Sequence, residues 1–330
     1  MRKVEDLVSR TSQVLPPLSD WDGAELCTIL PVLSVALSCD ITLPSTTSET
    51  LVGIASDLSD YALNREAMDA SRSAAASCVF SIVAKHQVDN HECLGLKLLK
   101  NQICPVIVSS LDNETKDNAD EQMSNLEDAL KLAALVGSAA ARRGRVSSLT
   151  ADEVARFLVL ISCEGAASAP ALGITHPLDC MGDAKGKRAP EISILAASAL
   201  GSMFNVDSGN PFARQRLAHL VVPIVLSSTV TQGEEISSTA LGCLLCASHV
   251  VCGVPVKAMD QQKLFDLASI IIRGLEKVVA LICSDSKTSQ FEPEMLQGSL
   301  NLLLASLLKL YNQCPSTVST MRAFCNMFFD

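Results

Sequence analysis

Residues 210–251 read NPFARQRLAHLVVPIVLSSTVTQGEEISSTALGCLLCASHVV, and the punctuation of this stretch decides the fold. Asn210 is a capping residue, and Pro211 suits the first helical position, where a missing N–H leaves no bond unmade. A helix is therefore expected from Pro211 through Val222-Pro223 to about Val230. Its partner is expected over Glu234 to Val251, apolar nearly all round, as befits a helix buried between two neighbours. Together they form one helix-turn-helix unit.

The same unit recurs on both sides. Upstream, Thr150 can cap a helix with Glu153 three residues later, and Val154, Phe157, Leu158 and Ile161 then share one face. A second helix follows over Glu191 to Phe204. Downstream, Asp260 to Cys283 pairs with Glu294 to Tyr311, in which Leu296, Leu300, Leu303, Leu307 and Leu310 form a narrow seam. In the N-terminal half, helices are expected over Gly23 to Cys39, Glu49 to Tyr61, Ala70 to His86, His91 to Ser110 and Leu126 to Ala141. Pro31, Pro105 and Pro223 fall inside these segments and predict kinks.

No segment alternates as a strand does, and helix pairs spaced by about forty to fifty residues match the HEAT and armadillo periods. The expected class is all-α, a HEAT/armadillo-like α-solenoid. Its parts are N-terminal helical repeats over 1–148, HEAT-like repeats over 149–311, and the start of a further repeat over 312–330. Two stretches break the rhythm and read as insertions on one edge: the acidic Asp112 to Gln122, and Glu164 to Pro190 with its basic tail Lys185-Gly-Lys187-Arg188.

The chain carries a net charge of −10 over 330 residues, which argues against a broad phosphate-binding surface. Only 4% of residues are aromatic, with a single tryptophan, Trp21, so a base-stacking platform is not expected. Thirteen cysteines scattered through apolar helical segments read as small buried hydrophobes in a reducing compartment. The uncharged run from Ile236 to Val256 is long enough to raise a membrane span. Its Ser237, Ser238, Thr239, Ser248 and His249 favour a buried helix instead.

Four potential metal ligands, Cys243, Cys246, His249 and Cys252, stand at intervals of three. On a continuous helix each step of three turns the side chain by about sixty degrees, so the four spread round the cylinder rather than meeting at one ion. No metal or cofactor is therefore expected. The histidines lie outside any H-E-x-x-H or G-x-S-x-G pattern, and phosphate loops are absent from the sequence, which points to a chain without catalysis. Arg142-Arg143-Gly144-Arg145 either complements a helix C-terminus or meets an acidic partner.

The stretch Leu149-Thr-Ala-Asp-Glu-Val-Ala-Arg-Phe-Leu-Val-Leu160, then Ala196-Ala197 to Phe204, then Arg214-Gln215-Arg216 leading to Val222-Pro223, resembles the C-terminal half of the MMS-nineteen family. That family is the HEAT-repeat targeting factor of cytosolic iron-sulfur protein assembly. It has a similar leucine-rich helix, an Ala-rich helix and an Arg-Gln-Arg before a proline-containing helix, although Leu217-Ala218 stands where the family has aromatics. The resemblance implies a non-catalytic adaptor of cytoplasm and nucleus. Such an adaptor binds the other targeting subunits and presents apo iron-sulfur clients of DNA repair and transcription, such as a repair helicase, without touching nucleic acid or membrane. Within the same fold, an importin-type transport receptor is the rival.

Partner contacts are expected at Arg214 and Arg216, which lie two residues apart on different faces, and at Phe324 and Phe328. The last two, with Met321 and Phe329, give the final segment an apolar face. On that ground the chain is expected to be an incomplete solenoid whose end further repeats or a partner must cover.

Overall fold

Wherever the chain is described, its regular structure is helical, and no strand occurs among the described residues. The structure, a computed structural model, describes residues 23–38, 45–85, 94–112, 119–141, 148–163, 191–205, 211–227, 236–255, 257, 259–283 and 291–313. The chain divides into two compact units, residues 1–151 and 152–330.

In the first unit, α1 (Gly23–Ser38), α2 (Ser45–Leu63) and α3 (Asp69–Lys85) precede α4 (Leu94–Leu98), a π-helical segment (Leu99–Ile103), α5 (Cys104–Asp112) and α6 (Ala119–Ala141). Helix α3 packs on α1, α2 and α6, and α6 also packs on α5. Leu58, Ile82, Leu99, Ile103, Leu126 and Leu130 are fully buried in this core. The π-helical segment ends just before Pro105, with the Cys104 N–H donating to the Leu99 carbonyl. The widened turn relieves what a proline does to an α-helix: it lacks a donor, and its ring crowds the carbonyl four residues back.

Helix α7 (Ser148–Cys163) carries the boundary, and the second unit continues with α8 (Glu191–Asn205), α9 (Pro211–Ser227), α10 (Ser238–Gly253), α11 (Gln261–Cys283) and α12 (Pro293–Gln313). Pro211 and Pro293 each open a helix, and Asp260 caps α11 by accepting from the N–H groups of Gln262 (2.9 Å) and Lys263 (3.2 Å). Helix α10 touches α9 and α11, its chain neighbours, and also α8 and α12, two elements away in either direction. Helix α9 likewise touches α11. Phe157, Phe204, Leu244, Leu267, Ile271 and Leu303 are buried here, and of the α12 seam Leu296, Leu303, Leu307 and Leu310 are buried while Leu300 is partly so.

Several boundaries differ from expectation: α2 begins at Ser45 rather than Glu49, and the π-helical segment interrupts the helix expected over His91 to Ser110. Helix α10 begins at Ser238, not Glu234, because Ser237 supplies the cap, its hydroxyl accepting from the Ala240 N–H at 3.1 Å. Helix α6 begins at Ala119, so the last residues of the acidic Asp112 to Gln122 stretch are helical. Acidic residues in a first turn favour the positive end of the helix dipole. Thr150 does not cap α7, which already starts at Ser148; it is buried, with its methyl facing the Cα of Gly95. Among the described residues no helix is long and apolar enough to cross a membrane, and α10 has only 16 residues. Residues 164–190, Arg142-Arg143-Gly144-Arg145 and Glu234-Glu235 lie outside the described residues.

Candidate functional site

Helix α10 carries the ligand-like row, and its neighbours approach closely enough to fix where each side chain goes. Residues 241–248 are all buried. At Gly242 an added Cβ would lie 2.7 Å from the Ser162 carbonyl and 2.8 Å from that of Ser193, so two backbones press on this position. Only a residue without a side chain lets three helices meet there.

From this frame the row fans out. The Cys243 thiol donates to the Val225 carbonyl of α9 (3.5 Å), and the Cys246 thiol donates to the Ser162 hydroxyl of α7 (3.3 Å). The His249 ring lies across the Cα of Gly201 on α8, where any methyl would overlap it. Cys252 stands beside Lys309 of α12. Cys243 and Cys246 thus point toward α9 and α7, and His249 and Cys252 toward α8 and α12, so the four do not meet at one point. Among the described residues no three His, Cys, Asp or Glu side chains gather as metal ligands. Burial lowers the pKa of His249 to about 4, and its Nδ1 is shielded from solvent with no partner among the described residues. Burial raises the Cys252 thiol, with Lys309 opposing that shift.

The C-terminal end of α10 draws two cations. Lys309 Nζ donates to the carbonyls of Cys252 (2.7 Å) and Val254 (2.9 Å), and Arg214 Nη1 donates to the carbonyl of Gly253 (3.3 Å). These are the last carbonyls of a helix, left without intrahelical donors and carrying the negative end of its dipole. Burial lowers the Lys309 pKa. Cys252 opposes that and the neighbouring Arg214 adds to it. Arg214 Nε is itself shielded and has no acceptor among the described residues.

Arg216 leaves the other side of α9. Its Nε donates to both carboxylate oxygens of Asp152 on α7, at 3.1 and 3.0 Å, and its Nη2 adds a second bond to Oδ2. The Asp152 side chain is only 8% exposed, so this guanidinium is what neutralises it. The two arginines expected as partner contacts are thus bound, at these atoms, to the helices beside α9. Arg216 still exposes 53% of its side chain, and Phe212, one turn earlier, is exposed. Phe324 and Phe328 lie outside the described residues.

Two groupings escaped the sequence. Cys163, at the end of α7, meets Cys243 and Cys246; hydrogen bonding with Cys243 and then Cys246, together with burial, pushes its thiol well above the ordinary range. In the first unit, Arg65, Arg72 and Asp128 come together in a cleft. Neither grouping has a local spacing signal, because each joins residues from separate helices. Compared with known proteins, the chain matches no family model, no curated protein and no solved structure.

Proposed function

We propose that the chain is a non-catalytic protein-binding scaffold, built as a HEAT-type α-solenoid. The observation that carries this reading is the alternation in the second unit. Helices α8, α10 and α12 touch in succession, α9 touches α11, and chain neighbours join the two rows. Stacked helix pairs produce such a pattern, since each repeat packs only on the next, and they present long surfaces suited to other proteins. The Arg216–Asp152 ion pair and the Arg214 bond to the Gly253 carbonyl support the same reading, because both brace neighbouring helices.

Within that class we propose an adaptor of cytosolic iron-sulfur protein assembly, working in cytoplasm and nucleus. It would hold targeting subunits and apo-clients of DNA metabolism together at raised effective concentration. This finer reading rests on the Leu149 to Leu160, Ala196 to Phe204 and Arg214 to Pro223 resemblance. Affinity purification with mass spectrometry tests it. Iron-sulfur targeting subunits and apo-clients are expected to co-purify, whereas release of cargo by the Ran GTPase would identify an importin-type receptor instead.

A further inference from the structure

In the first unit, the turn after α2, the start of α3 and the outer side of α6 enclose a cleft of about 810 Å3. That volume lies within the range of pockets that take a small ligand or a few residues of peptide. Its apolar wall includes Ala62, Leu132 and Leu135, and its polar part is built round Asp128.

Arg72 is satisfied on every side. Its Nε donates to the Ala62 carbonyl at 3.2 Å, its Nη1 to Asp69 at 3.2 Å, and its Nη2 closely to Asp128 Oδ2. Arg65 reaches the same Asp128 oxygen at 3.5 Å, and its Nε is shielded from solvent with no acceptor among the described residues. Two guanidiniums therefore share one carboxylate oxygen in the wall of the cleft. Elsewhere in the lining Lys131 pairs with Glu127 at 2.6 Å, and Asp69 and Glu121 are exposed and screened by water, so the guanidiniums outnumber the carboxylate only immediately round Asp128. The Arg65 side chain as a whole is 30% exposed, so an oxyanion entering the cleft meets the open part of its guanidinium and gains a charge-assisted bond.

We propose that this cleft binds a carboxylate of a partner polypeptide, gripped by the Arg65 guanidinium, with an apolar neighbour of that carboxylate resting on Leu132 and Leu135. Glu121 and Glu127 also line the cleft. They disfavour a polyanion such as nucleic acid while leaving room for a single acidic group flanked by uncharged residues. The carboxylate comes either from an acidic side chain or from a chain terminus, and the two share the same two-oxygen geometry. This inference rests on the protein-binding reading above and gives that reading a place and a chemistry.

The test is an NMR titration of the full chain with three probes: acetyl-Leu-Glu-Leu-amide, its Gln counterpart, and acetyl-Leu-Leu with a free terminal carboxylate. The Glu peptide or the free carboxylate is expected to bind about tenfold more tightly than the Gln peptide, and whichever does so identifies the source. Arg65→Ala should remove that preference, Arg65→Lys should keep part of it because charge remains without the fork, and Glu121→Gln should strengthen binding about twofold. Thermal melts of the variants separate lost binding from lost folding, and Arg65→Lys serves if Arg65→Ala does not fold. Equal binding of the Glu and Gln peptides, an unchanged preference in Arg65→Lys, or weaker binding in Glu121→Gln would overturn the assignment. So would absence of binding. If partners still co-purify while no peptide binds, the cleft assignment alone fails. If peptide binds and no partner co-purifies, the scaffold reading alone fails.

Discussion

Arg216 and Asp152 are separated by 64 residues, yet the guanidinium of one closes on both oxygens of the other, tying α9 to α7. The pairing is asymmetric, for the Asp152 carboxylate is nearly buried and the Arg216 side chain is half exposed.

From this asymmetry follows an unequal response to substitution. Arg216→Ala strands a nearly buried carboxylate and should lower stability by about 2 kcal/mol, whereas Arg216→Ala with Asp152→Leu should recover most of the loss. Urea unfolding of the two single variants and the double variant gives the coupling directly. A double variant no better than Arg216→Ala would show that the pair is not what binds the helices.

Stability should also fall on mild acidification, through His249. Its folded-state pKa is about 4 against an ordinary 6.5, because burial on Gly201 favours the neutral ring. Between these values the unfolded chain binds a proton that the folded chain refuses. The His249 contribution is therefore fully retained above pH 6.5 and is lost progressively as pH falls toward 4. The loss amounts to at most about 3 kcal/mol. Urea unfolding of the wild type and of His249→Gln at pH 7 and pH 5 checks it, and the variant should show a smaller difference between the two pH values.

Alanine at two helical glycines should act with opposite signs. At Gly242 the new methyl would press on two carbonyls and the Ser162 hydroxyl, so Gly242→Ala should cost about 1–3 kcal/mol. Gly53 sits in α2 with nothing within 4 Å of the corresponding position, so Gly53→Ala should stabilise by about 0.5–1 kcal/mol through helix propensity. Melting temperatures of the two variants decide the matter.

The contrast between these sites shows what local pattern carries and what it does not. Periodic leucines and the Asn210-Pro211 junction are enough to place α9, α11 and α12 within a few residues, because helix periodicity and punctuation are written in neighbouring positions. Helix rotation separates Cys243, Cys246, His249 and Cys252 round α10, but it does not reveal that Cys243 and Cys246 both meet Cys163 of another helix. The start of α10 is misplaced because Glu234-Glu235 and Ser237 both look like starts, and only the bond from Ala240 to Ser237 distinguishes them. The destinations of Arg214, Arg216 and Arg65 are invisible in sequence, since each side chain meets groups that folding brings in from another helix.

A scaffold must hold two proteins at once, and sedimentation velocity of purified components tests that claim most directly. The chain is mixed with an iron-sulfur targeting subunit and an apo-client, first separately and then together. A single faster boundary containing all three is expected, with the client joining the targeting subunit only when the chain is present. Partners that displace each other, or that sediment independently of the chain, would contradict the account.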